Sequence, residues 1–205
     1  MLRNNKQNSR SELGHSLAHF VSAFVSPPIM AIVATVSFSL WSPIGLGLLS
    51  APLSIMLCFL LFSLFPFLPV FYYYRKNVID LYISKKEART PFFVFAIFSY
   101  ASAAVLFFFT GTKIILLLAL GYTLVTGILM VVNLFWKVSI HCAGVTGPIF
   151  ALIFVFGPNV LPLSLIIVLL GWSRIKLKNH TFFQTVVGTL ISLSVGLIEY
   201  SILYP

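Results

Sequence analysis

Apolar residues run along this chain in stretches close to the roughly 20 residues that a helix needs to cross a hydrocarbon core, separated by short polar islands. The stretches fall at 19–41, 48–74, 92–110, 114–136, 139–156, 160–172 and 180–204. Ser26-Pro27-Pro28 predicts a kink near the start of the first, because proline removes a backbone donor. The second is Phe-rich and ends in an interfacial belt, Tyr72-Tyr73-Tyr74. Ser42-Pro43-Ile44-Gly45 and Gly111-Thr112-Lys113 are turns, Gly157-Pro158 ends the fifth stretch, and Pro162 falls in the first turn of the short sixth. Residues 75–91 form the longest polar loop. The first fifteen residues, with Arg3, Lys6 and Arg10, lack the apolar core and cleavage site of a signal peptide. They predict a retained, poorly ordered tail over 1–15 ahead of one transmembrane domain over 16–205. The fold expected is all-α, a polytopic transmembrane helical bundle with six or seven spans.

Composition sharpens this picture. With 60% hydrophobic and only 8% charged residues, the chain is neither a soluble globular domain, where about a quarter of residues are charged, nor a disordered one. Thirteen Lys and Arg against Glu12, Asp80, Glu87 and Glu199 give a formal charge of +9. No loop is long enough to build an element that reads nucleic acid, which leaves the positive-inside bias or an anionic site. Seven spans put the N-terminus and loops 75–91, 137–139 and 173–180 on one face, with twelve of the thirteen basic residues and only Lys113 opposite. That asymmetry predicts a cytoplasmic basic face, in the cell membrane. Cys58 and Cys142 lack CxxC spacing and suggest neither a disulfide nor a metal site.

Three polar islands share the basic face: 83–91, with Lys85, Lys86 and Arg89; 137–144, with Lys137, Ser139 and His141; and 173–180, with Ser173, Arg174 and His180, followed by Gln184. Two histidines, several cations and a serine are what phosphoryl transfer without a metal requires. Arginine forks pair with phosphate oxygens and keep their charge, and amides at a helix start bind anions. A neutral histidine can attack phosphorus, and a protonated one can serve the leaving group. Lys137 shares a helical face with Asn133, four residues earlier. His15 and His19 have no partners in the sequence pattern and read as structural, and Lys176 and Lys178 as snorkelling charges. A Cys142 phosphatase loop would need Arg six positions on, where Pro148 stands.

Ser173-Arg174, five residues, then His180 resembles the third signature of the type 2 phosphatidic-acid-phosphatase and vanadium-haloperoxidase superfamily. Ser139-Ile140-His141 is similar to a reduced form of its second, Pro-Ser-Gly-His, and Arg89-Thr90-Pro91 to the end of its first, Lys, six residues, Arg-Pro. The resemblance to the small membrane-phosphatase branch implies His180 as nucleophile and His141 as acid for the leaving group. It implies Arg174, Arg89 and Ser139 as phosphate ligands. The family's orienting Asp is Gln184 here, its first Lys falls at Tyr82, with Lys85 or Lys86 one turn on, and Val138 and Ile140 replace its Pro and Gly. His180, Gln184, Gly188, Ser192 and Gly196 form a polar and small stripe on the last helix, which predicts close packing and an inward His180.

The function expected is that of an integral-membrane phosphoric monoester or diphosphate hydrolase. It would act on a lipid phosphate or polyprenyl diphosphate arriving from the bilayer, through a phosphohistidine, with no metal and no cofactor. The alternatives are a catalytically degenerate protein that binds anionic lipid, which the Gln184 and Tyr82 replacements suggest, and a small transporter. Against the transporter stands the scarcity of ionisable residues within the spans.

Overall fold

The computed structural model describes residues 2–80, 83 and 85–204, the side chains of residues 2–11 excepted. Helices α1 (Leu2–Phe24) and α2 (Pro27–Trp41) are followed by α3 (Ala51–Cys58), which runs through a π-helical segment, Phe59–Leu64, into α4 (Phe65–Arg75). After a 3₁₀ turn at Lys86–Arg89 come α5 (Thr90–Phe109), α6 (Lys113–Phe135) and α7 (Ile140–Phe156). A second 3₁₀ segment, Pro158–Leu163, leads into α8 (Ser164–Lys176), and α9 (Phe182–Leu203) closes the chain. No strand occurs among the described residues.

Five helical stretches are long and apolar enough to cross a membrane, and a sixth is made when α1 from Glu12 and α2 are taken together as one bent span. The protein is therefore an all-α, membrane-spanning bundle, as its hydropathy predicts. Helix α7 has only 17 residues and stands apart from those spans. It is enclosed, packing against α2, α6, α8 and α9, with Cys142, Val145 and Ile149 fully buried. Enclosure explains the shortness, since a helix wrapped by neighbours on all sides need not reach both headgroup layers itself.

Within the polar stretch 1–15, the described backbone is helical from Leu2, as the first turns of α1. Its polarity hides a helix whose later turns dock on α8 through buried Ala18, Val21 and Ser22. The kink expected at Ser26-Pro27-Pro28 is present as a 49° bend, sharp enough that Ser26 and Pro27 separate α1 from α2. The sixth stretch is also longer than its apolar run. The helical path continues to Lys176 because Arg174 turns into the bundle while Lys176 stays exposed.

The π-helical segment has a local cause. Phe65 donates to the carbonyl of Leu60, five residues back, and the next residue is Pro66, which has no N–H for Leu61. Ser99 Oγ on α5 supplies the missing donor, 2.7 Å from the Leu61 carbonyl. Ser63, in the same segment, donates to the Pro28 carbonyl on α2 at 2.9 Å. An irregular turn at membrane depth is thus satisfied by its neighbours, as a lipid environment demands.

The loops gather at two ends. At one, the Leu48 amide donates to the Thr110 carbonyl at 2.9 Å and Thr112 Oγ1 to the Leu46 carbonyl at 2.8 Å, closing the α2–α3 connection over the α5–α6 turn. At the other, the starts of α5, α7 and α9 meet the ends of α6 and α8, and the three polar islands come together there.

Candidate active site

Arg89 ends the 3₁₀ turn before α5 and is 2% exposed. Its Nε donates to the Ile83 carbonyl at 2.8 Å, and one Nη donates to the Val138 carbonyl at 3.1 Å and to Asn133 Oδ1 at 3.5 Å. Asn133 Nδ2 in turn donates to the Lys86 carbonyl at 2.9 Å. The Lys86 ammonium reaches the carbonyls of Leu134 and Phe135 at 3.1 and 3.3 Å. Those are the carbonyls that the end of α6 leaves without helical donors, so Lys86 caps α6. Lys85 is exposed, and Tyr82 lies outside the described residues.

Ser139 is the N-cap of α7 and is fully buried; its Oγ accepts from the Cys142 amide at 3.3 Å. Its own amide donates to the Gln184 carbonyl at 3.1 Å, which locks the start of α7 to the first turn of α9. Gly188 makes that contact possible: a Cβ there would stand 2.5 Å from the Ser139 carbonyl oxygen. The small-residue stripe of α9 continues along α7, with Gly147 beside Ser192 and Phe150 against Gly196.

Arg174 is the largest of the fully buried side chains. Its Nη1 donates to Ser22 Oγ on α1 at 2.6 Å, and neighbouring Ser173 donates to the Ala18 carbonyl, also at 2.6 Å. The five-residue spacing to His180 has a geometric meaning. Lys178 takes a left-handed φ of 56°, and the chain folds back so that the Asn179 and His180 amides both donate to the Arg174 carbonyl, at 3.1 and 3.3 Å. One reversed turn therefore fixes the histidine against the arginine's own backbone.

His180 is 7% exposed and its Nδ1 lies 3.2 Å from Gln184 Oε1. That oxygen also accepts from the Thr181 amide at 3.1 Å, while Thr181 Oγ1 accepts from the Gln184 amide at 3.4 Å, a reciprocal capping box. The box decides which end of the Gln184 amide faces the ring. Since an oxygen faces Nδ1, Nδ1 carries the hydrogen and Nε2 keeps its lone pair. Burial, and then the charges of Arg174, Arg89 and Lys137, push the imidazole down from its ordinary 6.5 to about 3, against a smaller upward pull from Gln184. Burial and the same two arginines also hold half-buried Lys137 below its ordinary value, which Asp80 opposes. Half-buried His141 lies within electrostatic range of Arg174, His180 and Arg89.

The structure thus brings together His180, Gln184, His141, Arg174, Arg89, Ser139 and Lys137, while Lys86 is a cap and Lys85 an exposed loop residue. Comparison with family models, with curated proteins and with solved structures returns no match. Among the described residues no group of three or more His, Cys, Asp or Glu is placed to hold a metal ion. Four contributors escaped the sequence reading. Ser22 holds Arg174 across 152 residues of chain, and no sequence signal connects the two. Asn133 grips the Arg89 turn, and its place one helical turn before Lys137 is the hint that was available. Asp80 is an acid acting on Arg89 and Lys137, and Thr181 completes the capping box. A groove of about 570 Å³ between α8 and α9, lined by Ile167, Gly171, Trp172, Ile175 and Phe182, flanks the loop that carries His180.

Proposed function

We propose that this protein is an integral-membrane hydrolase that removes phosphate from a lipid phosphate or diphosphate, with His180 as the attacking group. The observation that carries the proposal is a buried imidazole whose Nδ1 faces Gln184 Oε1, which leaves Nε2 as the nitrogen to attack, within the field of Arg174, Arg89 and Lys137. Nε2 attacks phosphorus and the bond to the lipid oxygen breaks, with His141 giving that oxygen its proton. Water, deprotonated by His141, then attacks the phosphohistidine and releases inorganic phosphate. The incoming phosphate brings negative charge to a cluster of cations, which favours the protonated form of His141 that the first step needs. The groove between α8 and α9 suits a hydrocarbon chain arriving from the bilayer, and the basic loops face the cytoplasm of the cell.

A second reading, lipid binding without turnover, draws on one observation: two carbonyls and Asn133 already engage the Arg89 guanidinium. One experiment separates the two. Purified protein receives a phosphate-labelled lipid phosphate in mixed micelles containing a chelator and is quenched in alkali, where phosphohistidine survives. Turnover predicts released phosphate, inhibition by vanadate, and label on the peptide containing His180. Binding without release supports the second reading, and release that depends on added magnesium contradicts the mechanism.

Gln184→Asp gives a further check. A carboxylate beside Nδ1 stabilises the imidazolium and raises the His180 pKa from about 3 toward the ordinary 6.5. Because the nucleophile works only as free base, the acid limb of kcat/KM should move to higher pH than in the wild type. Titration of the substrate affects both proteins alike, so the difference reports on the histidine. An unchanged acid limb would remove His180 from the attacking role.

A further inference from the structure

Glu199 lies on α9 seventeen residues beyond the first helical residue, Phe182, about 26 Å along the helix axis at roughly 1.5 Å per residue, toward the opposite membrane face. Within a span it is 5% exposed, with the Gly121 backbone the group nearest its carboxylate, and neither carboxylate oxygen makes a hydrogen bond of full geometry within the protein. Two more α9 groups share this condition: Ser192 Oγ and Tyr200 Oη are buried and also lack partners. All three side chains line one cavity of about 60 Å³ between α6, α7 and α9, which Tyr100, Tyr122 and Thr126 also line. Gly121 on α6 makes room for the carboxylate, since a Cβ there would stand 2.8 Å from Glu199 Oε2.

A buried carboxylate is costly unless paired, and a buried polar atom without a partner calls for one. No Lys, Arg or His lines this cavity, so no side-chain cation balances Glu199 when it is ionised. The donor set is all oxygen, one carboxylate with hydroxyls, which suits a hard cation. A single carboxylate neutralises a single charge, and a divalent ion would leave an excess charge inside the membrane. The volume accommodates a small ion together with water. A proton on Glu199, with water bonded to the two hydroxyls, is the competing occupant, and a response to pH rather than to alkali cations would mark it.

We propose that Glu199, Ser192 and Tyr200 form an intramembrane binding site for an alkali-metal cation, separate from the His180 site. The test is thermal unfolding of the detergent-solubilised full chain at mildly alkaline pH. Sodium, potassium and choline chlorides are compared at equal ionic strength, alongside binding of radioactive sodium. Sodium or potassium should raise the midpoint by several degrees over choline, with one ion bound per chain. Glu199→Gln, which keeps the side-chain shape, should lose both effects, and Tyr200→Phe should weaken binding several-fold without abolishing it. If Glu199→Gln fails to fold, the Tyr200→Phe comparison and the ion count decide. Equal stability in all three salts overturns the proposal. So does a response that persists in Glu199→Gln, or a stability that follows pH and no alkali cation, which would mark Glu199 as a proton site alone.

Discussion

Alanine at position 180 should lower phosphate release from a lipid phosphate by a factor of about 10³ or more, the scale of losing a nucleophile whose attack the rest of the site serves. The fold should survive the change. The helix start at α9 is held by Thr181 and Gln184 bonding to each other, and neither bond involves the imidazole. The His180 amide that meets the Arg174 carbonyl is backbone and remains. Binding of the lipid should therefore persist while turnover stops, and imidazole added to the solution should restore part of the rate. The loss should appear in kcat, since an attack on phosphorus is made only in the transition state. A variant that releases phosphate at the wild-type rate would end the phosphohistidine mechanism. In that case the cations around position 180 would be left as an anion-binding cluster.

Much of this arrangement could be read from residue order because its causes are local. Apolar runs at 92–110 and 114–136 lie within a few residues of α5 and α6, where Gly111-Thr112-Lys113 leaves no alternative to a tight turn. The spacing from Ser173-Arg174 to His180 is legible for the same reason: a helix end, a left-handed residue and a return to the last carbonyl take a fixed number of residues. What escaped depends on partners distant in sequence. Hydropathy cannot reveal α1, because its first turns are polar and its anchoring bonds to Ser173 and Arg174 come from the other end of the chain. Lys86 and Arg89 look alike as loop cations. Only the docking of the α6 end beside them turns one into a cap and buries the other. Glu199 reads as one acid near a helix end until α6 presents Gly121 opposite it.

Gly188→Ala should damage both stability and activity, and it tests the assembly of the site rather than its chemistry. The added methyl would stand 2.5 Å from the Ser139 carbonyl oxygen and 3.4 Å from its carbon. Both belong to backbone that begins α7, so no side-chain rotation relieves the contact. Helices α7 and α9 must separate, which breaks the bond from the Ser139 amide to the Gln184 carbonyl. Overpacking of this kind costs about 1–3 kcal/mol and should lower the unfolding midpoint in detergent. Because Ser139 precedes His141 by two residues and Gln184 orients His180, the same displacement moves the two histidines apart. Reactions that depend on such alignment lose about 10²-fold for a shift near 1 Å. Gly127→Ala supplies the control: it lies on α6 with no neighbour within 4 Å of the new carbon and should leave stability unchanged or slightly raised. If Gly188→Ala matches that control in midpoint and rate, α7 and α9 do not meet as closely as this packing requires. The Ser139 and Gln184 backbones would then have no role in aligning the two imidazoles.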